Sequence, residues 1–158
     1  MVDFLAGEPR VSVVVADDDW WGANRLPSLN GRQRVAANLV REACAEVGFV
    51  DWLFFIDGDE VALVEKGILG EVPDEFAAVR LRPLESVADG GELLFKRLLE
   101  PEELRHLKRL GLLHKASNSH YFHGHVSGKV GVRPTAAIRL GVHAAEDVTG
   151  MKVATFEH

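Results

Sequence analysis

The tetrapeptide DGDE at residues 57–60 places three carboxylates within four positions, directly after the apolar run LFFI. Carboxylates this close repel one another, and a divalent cation relieves that repulsion. Oxygen ligands favour magnesium, manganese or calcium over softer metals. The apolar lead-in predicts a buried strand whose carboxyl end carries the acids, which is where open parallel sheets bind ligands. The pattern therefore predicts a cation site, and a solvated acidic turn is the alternative interpretation.

A second acidic run, Asp17 to Asp19, follows the β-branched segment RVSVVVA at residues 10–16. That segment also predicts a buried strand. If the two strands are neighbours in a parallel sheet, their carboxyl ends meet. One of these acids, with Asp17 as the candidate, would then contact the base or ribose of a bound nucleotide, and a solvated turn is again the alternative.

The elements between these acids predict an α/β fold. Asn30 and Gln33 resemble a capping box, an apolar helical spacing follows, and Gly48 is placed as a C-cap. A strand at 50–57 completes a strand-helix-strand unit, which is typical of parallel neighbours joined by a right-handed crossover.

The second half of the chain is more irregular. It predicts strands or extended segments at 75–83 and 92–98, a helix starting at Pro101, and strands at 126–132 and 136–142. We therefore expect residues 1–158 to form a single α/β domain with an irregular second half.

Composition excludes several classes of protein. The 158 residues contain 47% hydrophobic and 27% charged residues, which is typical of a globular domain. No apolar run reaches the length of a membrane span, and the N-terminus lacks the features of a signal peptide. A single cysteine, Cys44, permits neither a disulfide framework nor a zinc-cysteine site, so a cytoplasmic location is expected. The net charge of −6 argues against general nucleic-acid binding.

The segment WLFFIDGDE, an aromatic residue and four apolar positions before Asp-x-Asp-Glu, resembles the metal-binding motif of GT-A glycosyltransferases, especially family 2-like enzymes. The preceding helix RQRVAANLVREA is similar to the arginine- and asparagine-containing helix of many members. Downstream, HGHVSGKVGVRPTAAIRLGVH resembles the segment that carries a Gly-Lys, an Arg-Pro and a late histidine. The likeness covers roughly residues 10–147, and only the DGDE element is specific.

The resemblance implies a GT-A-like fold, a mostly parallel sheet flanked by helices. It implies a metal-dependent transferase that moves a sugar from a nucleotide-sugar donor to a carbohydrate or other acceptor, with manganese or magnesium as cofactor. Asp57 would contact the donor ribose or the metal, Asp59 would bind the metal, and His143 would complete its ligands. Lys129 and Arg133 would assist at the phosphates. Spacing identifies no catalytic base.

The family places a further strand and helix before this motif to hold the nucleotide base, so a truncated or minimal member is expected. Two other interpretations stay open. DGDEV also satisfies the nucleophile loop of haloacid dehalogenase-like phosphatases, in which Asp57 would attack phosphorus and Asp59 would act as acid and base, with Lys129 as the later lysine. The chain is otherwise a carbohydrate- or nucleotide-binding domain without catalysis.

Overall fold

The computed structural model describes residues 6–89, 91–124, 126–147, 150 and 153–157. Within them the helices are α1 (Asp18–Trp21), α2 (Leu29–Val47) and α3 (Pro101–Arg109). Short 3-10 turns cover Gly22–Asn24, Ile68–Glu71 and Asn118–His120. The strands are β1 (Leu53–Phe54), β2 (Ala78–Leu81), β3 (Leu84–Asp89), β4 (Glu92–Arg97), β5 (Lys129–Val132), β6 (Ile138–Leu140), β7 (Ala145–Asp147) and β8 (Phe156–Glu157). None of the helices in these ranges has the length and apolar character needed to cross a bilayer.

The chain divides into two compact units, Met1–Gln33 and Arg34–His158. In the first unit, residues 11–17 form no strand, so the predicted strand at 10–16 is wrong. Val14 and Val15 in this segment are exposed. β-branched residues favour a strand only where a neighbouring strand and a packed face are supplied, and this segment has neither.

Helix α2 confirms the helix predicted from the apolar spacing, but its N-cap differs. The Ser28 hydroxyl, not Asn30, accepts a hydrogen bond from the Gly31 N–H at 3.1 Å. At the other end Gly48 has a φ of +70° and donates its N–H to the Cys44 carbonyl, as the sequence predicts for a glycine C-cap.

Within the second unit, Asn38 is hydrogen-bonded to strand β6. Its side-chain amide donates to the Leu140 carbonyl at 2.9 Å and accepts from the Leu140 N–H at 3.0 Å. This pair of hydrogen bonds satisfies both backbone groups of a nearly fully buried residue, which would otherwise carry a desolvation cost. Asn38 therefore sets where the helix sits on the strand.

The largest sheet has the strand order β1-β5-β2-β8. Strand β5 pairs antiparallel with both β1 and β2, and among the described residues only the two-residue contact of β8 with β2 is parallel. β3 with β4 and β6 with β7 form two separate antiparallel pairs. The expected GT-A-like, mostly parallel sheet flanked by helices is therefore wrong. The crossover prediction failed because the segment at 10–16 makes no strand for the β1 strand to join.

The central strand β5 is buried along its whole length, and two glycines allow this. Gly128, just before the strand, has a φ of +67°, and a Cβ there would overlap the Leu81 carbonyl. A Cβ at Gly131 would overlap the aromatic ring of Phe54 on the paired strand. The core around the strand consists of Ala37, Ala78, Val130, Val132, Ile138, Leu140 and Ala145.

Several other local predictions are confirmed. Helix α3 starts at Pro101 with a capping box in which Glu100 and Glu103 exchange backbone and side-chain hydrogen bonds. Strands lie inside the predicted ranges 75–83, 92–98, 126–132 and 136–142. The strand predicted at 50–57 is reduced to the two residues of β1 because only these pair with β5.

We expect Gly131→Ala to lower the free energy of unfolding by about 1–3 kcal/mol, because the added methyl group must displace the Phe54 ring in a packed core. Urea unfolding measures the change. The matched control is Gly70→Ala, where a Cβ would meet nothing within 4 Å, and it should cost less than about 0.5 kcal/mol. In a Phe54→Ala background the cost of Gly131→Ala should shrink; an unchanged cost would contradict the proposed overlap.

Candidate functional site

Residues 57–60 form a tight turn closed by two hydrogen bonds. The Glu60 N–H donates to the Asp57 carbonyl at 3.1 Å, and the Asp57 N–H donates to the Glu60 carboxylate at 2.8 Å. Gly58 has no positive φ, and a Cβ there would meet nothing within 4 Å, so this turn does not require glycine. The second of these bonds holds the Glu60 carboxylate against the backbone of Asp57.

Both carboxylates converge on the ammonium group of Lys129. Its Nζ donates to Asp57 Oδ2 at 2.7 Å and lies 3.2 Å from Glu60 Oε2. The lysine side chain is only 10% exposed, whereas the two acids are partly open to solvent. Burial opposes the charged form of Lys129, but the hydrogen bonds to Asp57 and Glu60 outweigh burial and raise the pKa of the ammonium above its usual value. Lys129 therefore stays charged at neutral pH.

The register of the antiparallel pair explains why these residues meet. Leu53 lies opposite Val132 and Phe54 opposite Gly131, so the chain beyond Phe54 runs toward the start of β5. The acidic turn follows β1 by two residues, and Lys129 is the first residue of β5. A shift of the register by one residue would send the Lys129 side chain to the other face and break the contact.

His143 lies beside the same end of β5. Its Nδ1 is 3.2 Å from the carbonyl of Gly128, which can only accept, so Nδ1 carries the proton. In the neutral ring this tautomer puts the lone pair on Nε2, the arrangement typical of metal-binding histidines. Arg80 joins the two loops, since its guanidinium donates to the Ser127 carbonyl at 2.5 Å and to the His143 carbonyl at 3.2 Å.

Arg133 is not part of this cluster. It follows the other end of β5, about 13 Å from Lys129 at the rise of an extended strand. There it donates to the carbonyls of Val72 and Phe76, and its guanidinium lies 4.5 Å from the centre of the Trp52 ring. The structure gives Arg133 contacts that stabilise the loop before β2, and its role at phosphates stays a prediction.

The remaining predicted residues have simple environments. Asp59 is exposed at the tip of the turn. Asp17 belongs to the first compact unit, where its side chain caps α1 by accepting the Trp20 N–H at 2.9 Å. Within the part of the chain that the structure describes, no three His, Cys, Asp or Glu residues are grouped to hold a metal ion.

Two residues that position the cluster, Glu60 and Arg80, had no individual role assigned from the sequence. The signal for Glu60 was present, because it is the last letter of the Asp-x-Asp-Glu element. Nothing local distinguishes Arg80 from other arginines, since its two acceptors lie 47 and 63 residues away along the chain.

Comparison of the chain with protein-family models, with curated proteins and with solved structures found no match. The chemistry that the site can perform follows from its own geometry. That geometry is an acidic turn with two carboxylates held by a buried lysine, one exposed carboxylate, and a histidine of fixed tautomer nearby.

We expect Lys129→Met to destabilise the protein by about 0.5–1.5 kcal/mol at neutral pH, because Asp57 and Glu60 lose the ammonium group that they share. Solvent screens part of the resulting repulsion, since both carboxylates are more than a third exposed. Because the pKa of Lys129 is higher in the folded state, the charged lysine contributes its full stabilisation at pH values below its unfolded-state pKa of about 10.4. That contribution is lost as the pH rises through the folded-state pKa. The difference between wild type and Lys129→Met should therefore be constant near neutrality and shrink at alkaline pH, above the unfolded-state value of about 10.4.

Urea unfolding at both pH values tests this, with Lys66→Met as the control. Lys66 is exposed, so its substitution should change stability by less than about 0.5 kcal/mol. Equal stability of wild type and Lys129→Met at neutral pH would show that the lysine does not hold the turn.

Proposed function

We propose that this protein is a metal-dependent glycosyltransferase that moves a sugar from a nucleotide-sugar donor to a carbohydrate or other acceptor. The observation that carries the proposal is the acidic turn at residues 57–60, with Asp57 and Glu60 both held on Lys129 and Asp59 left exposed. The proposal rests on the chemistry of this turn and not on a GT-A sheet.

The charge of the turn suits a cation that is shared with a diphosphate. The turn carries three carboxylates, and the Lys129 ammonium group contacts those of Asp57 and Glu60 but not that of the exposed Asp59. A diphosphate approaching this turn alone would be repelled. Magnesium and manganese commonly bind through one or two carboxylates and complete their coordination with substrate phosphates and water, so a third protein carboxylate is not required.

Asp57 and Asp59 would hold the cation, which when bound compensates the charge that develops on the leaving nucleoside diphosphate. Lys129 keeps Asp57 and Glu60 in place, and its ammonium group is a potential donor to a phosphate oxygen. His143 is a candidate further ligand, because the Gly128 carbonyl fixes its tautomer.

We expect Asp59→Ala and Asp59→Asn to abolish the manganese-dependent part of nucleoside diphosphate binding, because both remove the exposed charge that would bind the cation. Titration calorimetry with manganese and with a chelator measures this. The matched control is Asp51→Asn, which removes an exposed carboxylate at the entry to β1 and should bind as wild type. His143→Ala in the same series reports on the histidine: unchanged manganese affinity would remove it from the ligand set.

Two results would count against the transferase. One is equal nucleotide affinity with manganese and with chelator. The other is loss of binding only in Asp59→Ala, since the asparagine variant keeps the shape of the side chain and lacks only its charge.

A phosphatase is the second candidate, and the contact of Lys129 with Asp57 favours it. A lysine 2.7 Å from the nucleophilic carboxylate would neutralise charge as a phosphate ester approaches. Asp57 would attack phosphorus, the leaving alkoxide would take a proton from Asp59, and water would then release inorganic phosphate from the aspartyl phosphate.

The phosphatase candidate predicts that the protein hydrolyses p-nitrophenyl phosphate with magnesium, and that Asp57→Asn abolishes the activity because the amide is a poor nucleophile. The transferase predicts no hydrolysis by either protein. The Asp51→Asn variant again serves as the control, and activity that survives in Asp57→Asn would exclude Asp57 as the nucleophile.

A further inference from the structure

Helix α3 ends in a hydrogen-bonded motif in which two leucines are exposed to solvent. Gly111 has a φ of +71°, its N–H donates to the Lys108 carbonyl, and the Leu112 N–H donates to the Leu107 carbonyl at 3.0 Å. This pattern is a Schellman motif, which needs glycine at the left-handed position. Leu110 and Leu112 on either side of Gly111 are 58% and 68% exposed.

The same end of the helix is strongly basic. Arg105, Lys108 and Arg109 line a shallow groove together with Glu102. In the sequence, no aspartate or glutamate occurs between Leu104 and Ala145, although the whole chain carries a net charge of −6. The basic groups therefore form a local positive surface on an acidic protein.

The acids at the start of α3 offset only part of this positive charge, since the groove holds three basic residues and one acid. Glu103 is held by Arg97 through two hydrogen bonds of 2.9 and 2.6 Å. Glu102 lies 3.7 Å from Arg105, an exposed contact. Among the described residues, Lys108 and Arg109 form no ion pair.

The helix dipole explains only part of this arrangement. Lysine and arginine in the last turn interact favourably with the carboxyl end of a helix. The dipole does not explain two leucines that remain exposed, since α3 already packs Leu104 inward as a buried residue. Leu110 and Leu112 directly follow Lys108 and Arg109 in the sequence, and exposed apolar residues next to basic ones are the combination that interfacial segments use to bind anionic lipid.

We propose that the surface formed by Arg105, Lys108, Arg109, Leu110 and Leu112 docks the protein on a bilayer of anionic phospholipid. The basic groups bind the headgroups, and Leu110 and Leu112 enter the boundary between headgroups and acyl chains. The Schellman motif holds the leucines in this position before contact, so little conformational entropy is lost on binding. This docking is peripheral and does not depend on the function proposed for the acidic turn.

Co-sedimentation of the full chain with vesicles tests the proposal, using phosphatidylcholine alone and phosphatidylcholine mixed with phosphatidylserine. We expect binding only to the mixed vesicles and a decline with added salt, because salt screens exposed charges. Neutralising two cations in Lys108→Gln with Arg109→Gln should weaken binding about 25-fold, at roughly fivefold for each cation near an anionic surface. Leu110→Ser with Leu112→Ser should also weaken it.

Matched controls change the same chemistry elsewhere. Lys66→Gln with Arg139→Gln removes two exposed cations, and Leu84→Ser with Leu93→Ser removes two exposed leucines from the β3–β4 hairpin. Both should bind as wild type. Circular dichroism of each variant verifies that α3 and the remaining elements stay folded.

Three outcomes would overturn the proposal. One is no sedimentation of the wild type with anionic vesicles at low salt, and another is equal loss in the control variants. The third is binding that depends on the cations but not on the leucines, which would identify a general polyanion site, such as one for nucleic acid, in place of a lipid surface.

Discussion

The antiparallel pairing of β5 with both β1 and β2 is the constraint on which the second compact unit depends, because this short strand supplies the ladder for two neighbours. A strand in that position is paired on both edges, and there is little space for side chains at its points of closest contact. Glycine at 128 and 131 meets this requirement at the two points where a side chain would collide with Leu81 or Phe54. The core packs around the strand, and Asn38 brings α2 onto it through Leu140 in β6.

The acidic turn is a consequence of the same pairing. Leaving Asp57 and Glu60 side by side at a strand end would be costly without a positive charge, and the register delivers Lys129 to that place. The lysine is buried and the acids are not, so solvent and ligands can reach the carboxylates more easily than the ammonium. Such a site keeps its shape and still carries more acidic than basic groups. A cation that binds both the turn and a diphosphate requires this combination.

Charge is distributed unevenly along this chain, and the two proposed surfaces use opposite signs. The acids of the DGDE turn stand before a stretch from Leu104 to Ala145 that contains only basic charged residues. Within that stretch Lys129 forms ion pairs with the acids of the turn, whereas Lys108 and Arg109 are exposed to solvent and are followed by two exposed leucines. The net charge of −6 alone conceals this difference, because it averages a basic surface with an acidic one.

The sequence by itself determined the elements whose signals are local. Helices α2 and α3 were predictable from spacing, proline and the terminal glycine, since caps and hydrogen bonds within a helix act over a few residues. The acidic turn at residues 57–60 could likewise be recognised from neighbouring residues in the sequence. Only the tertiary structure decided the direction of the sheet, the fate of the segment at 10–16, and the contact of Asp57 with Lys129, which lie 72 residues apart. The residues of a strand do not by themselves specify which strand it pairs with, or whether the pairing is parallel or antiparallel. The pairing partner and its direction depend on packing throughout the whole unit. For this reason the sheet is antiparallel, although the β-branched runs predicted a parallel one.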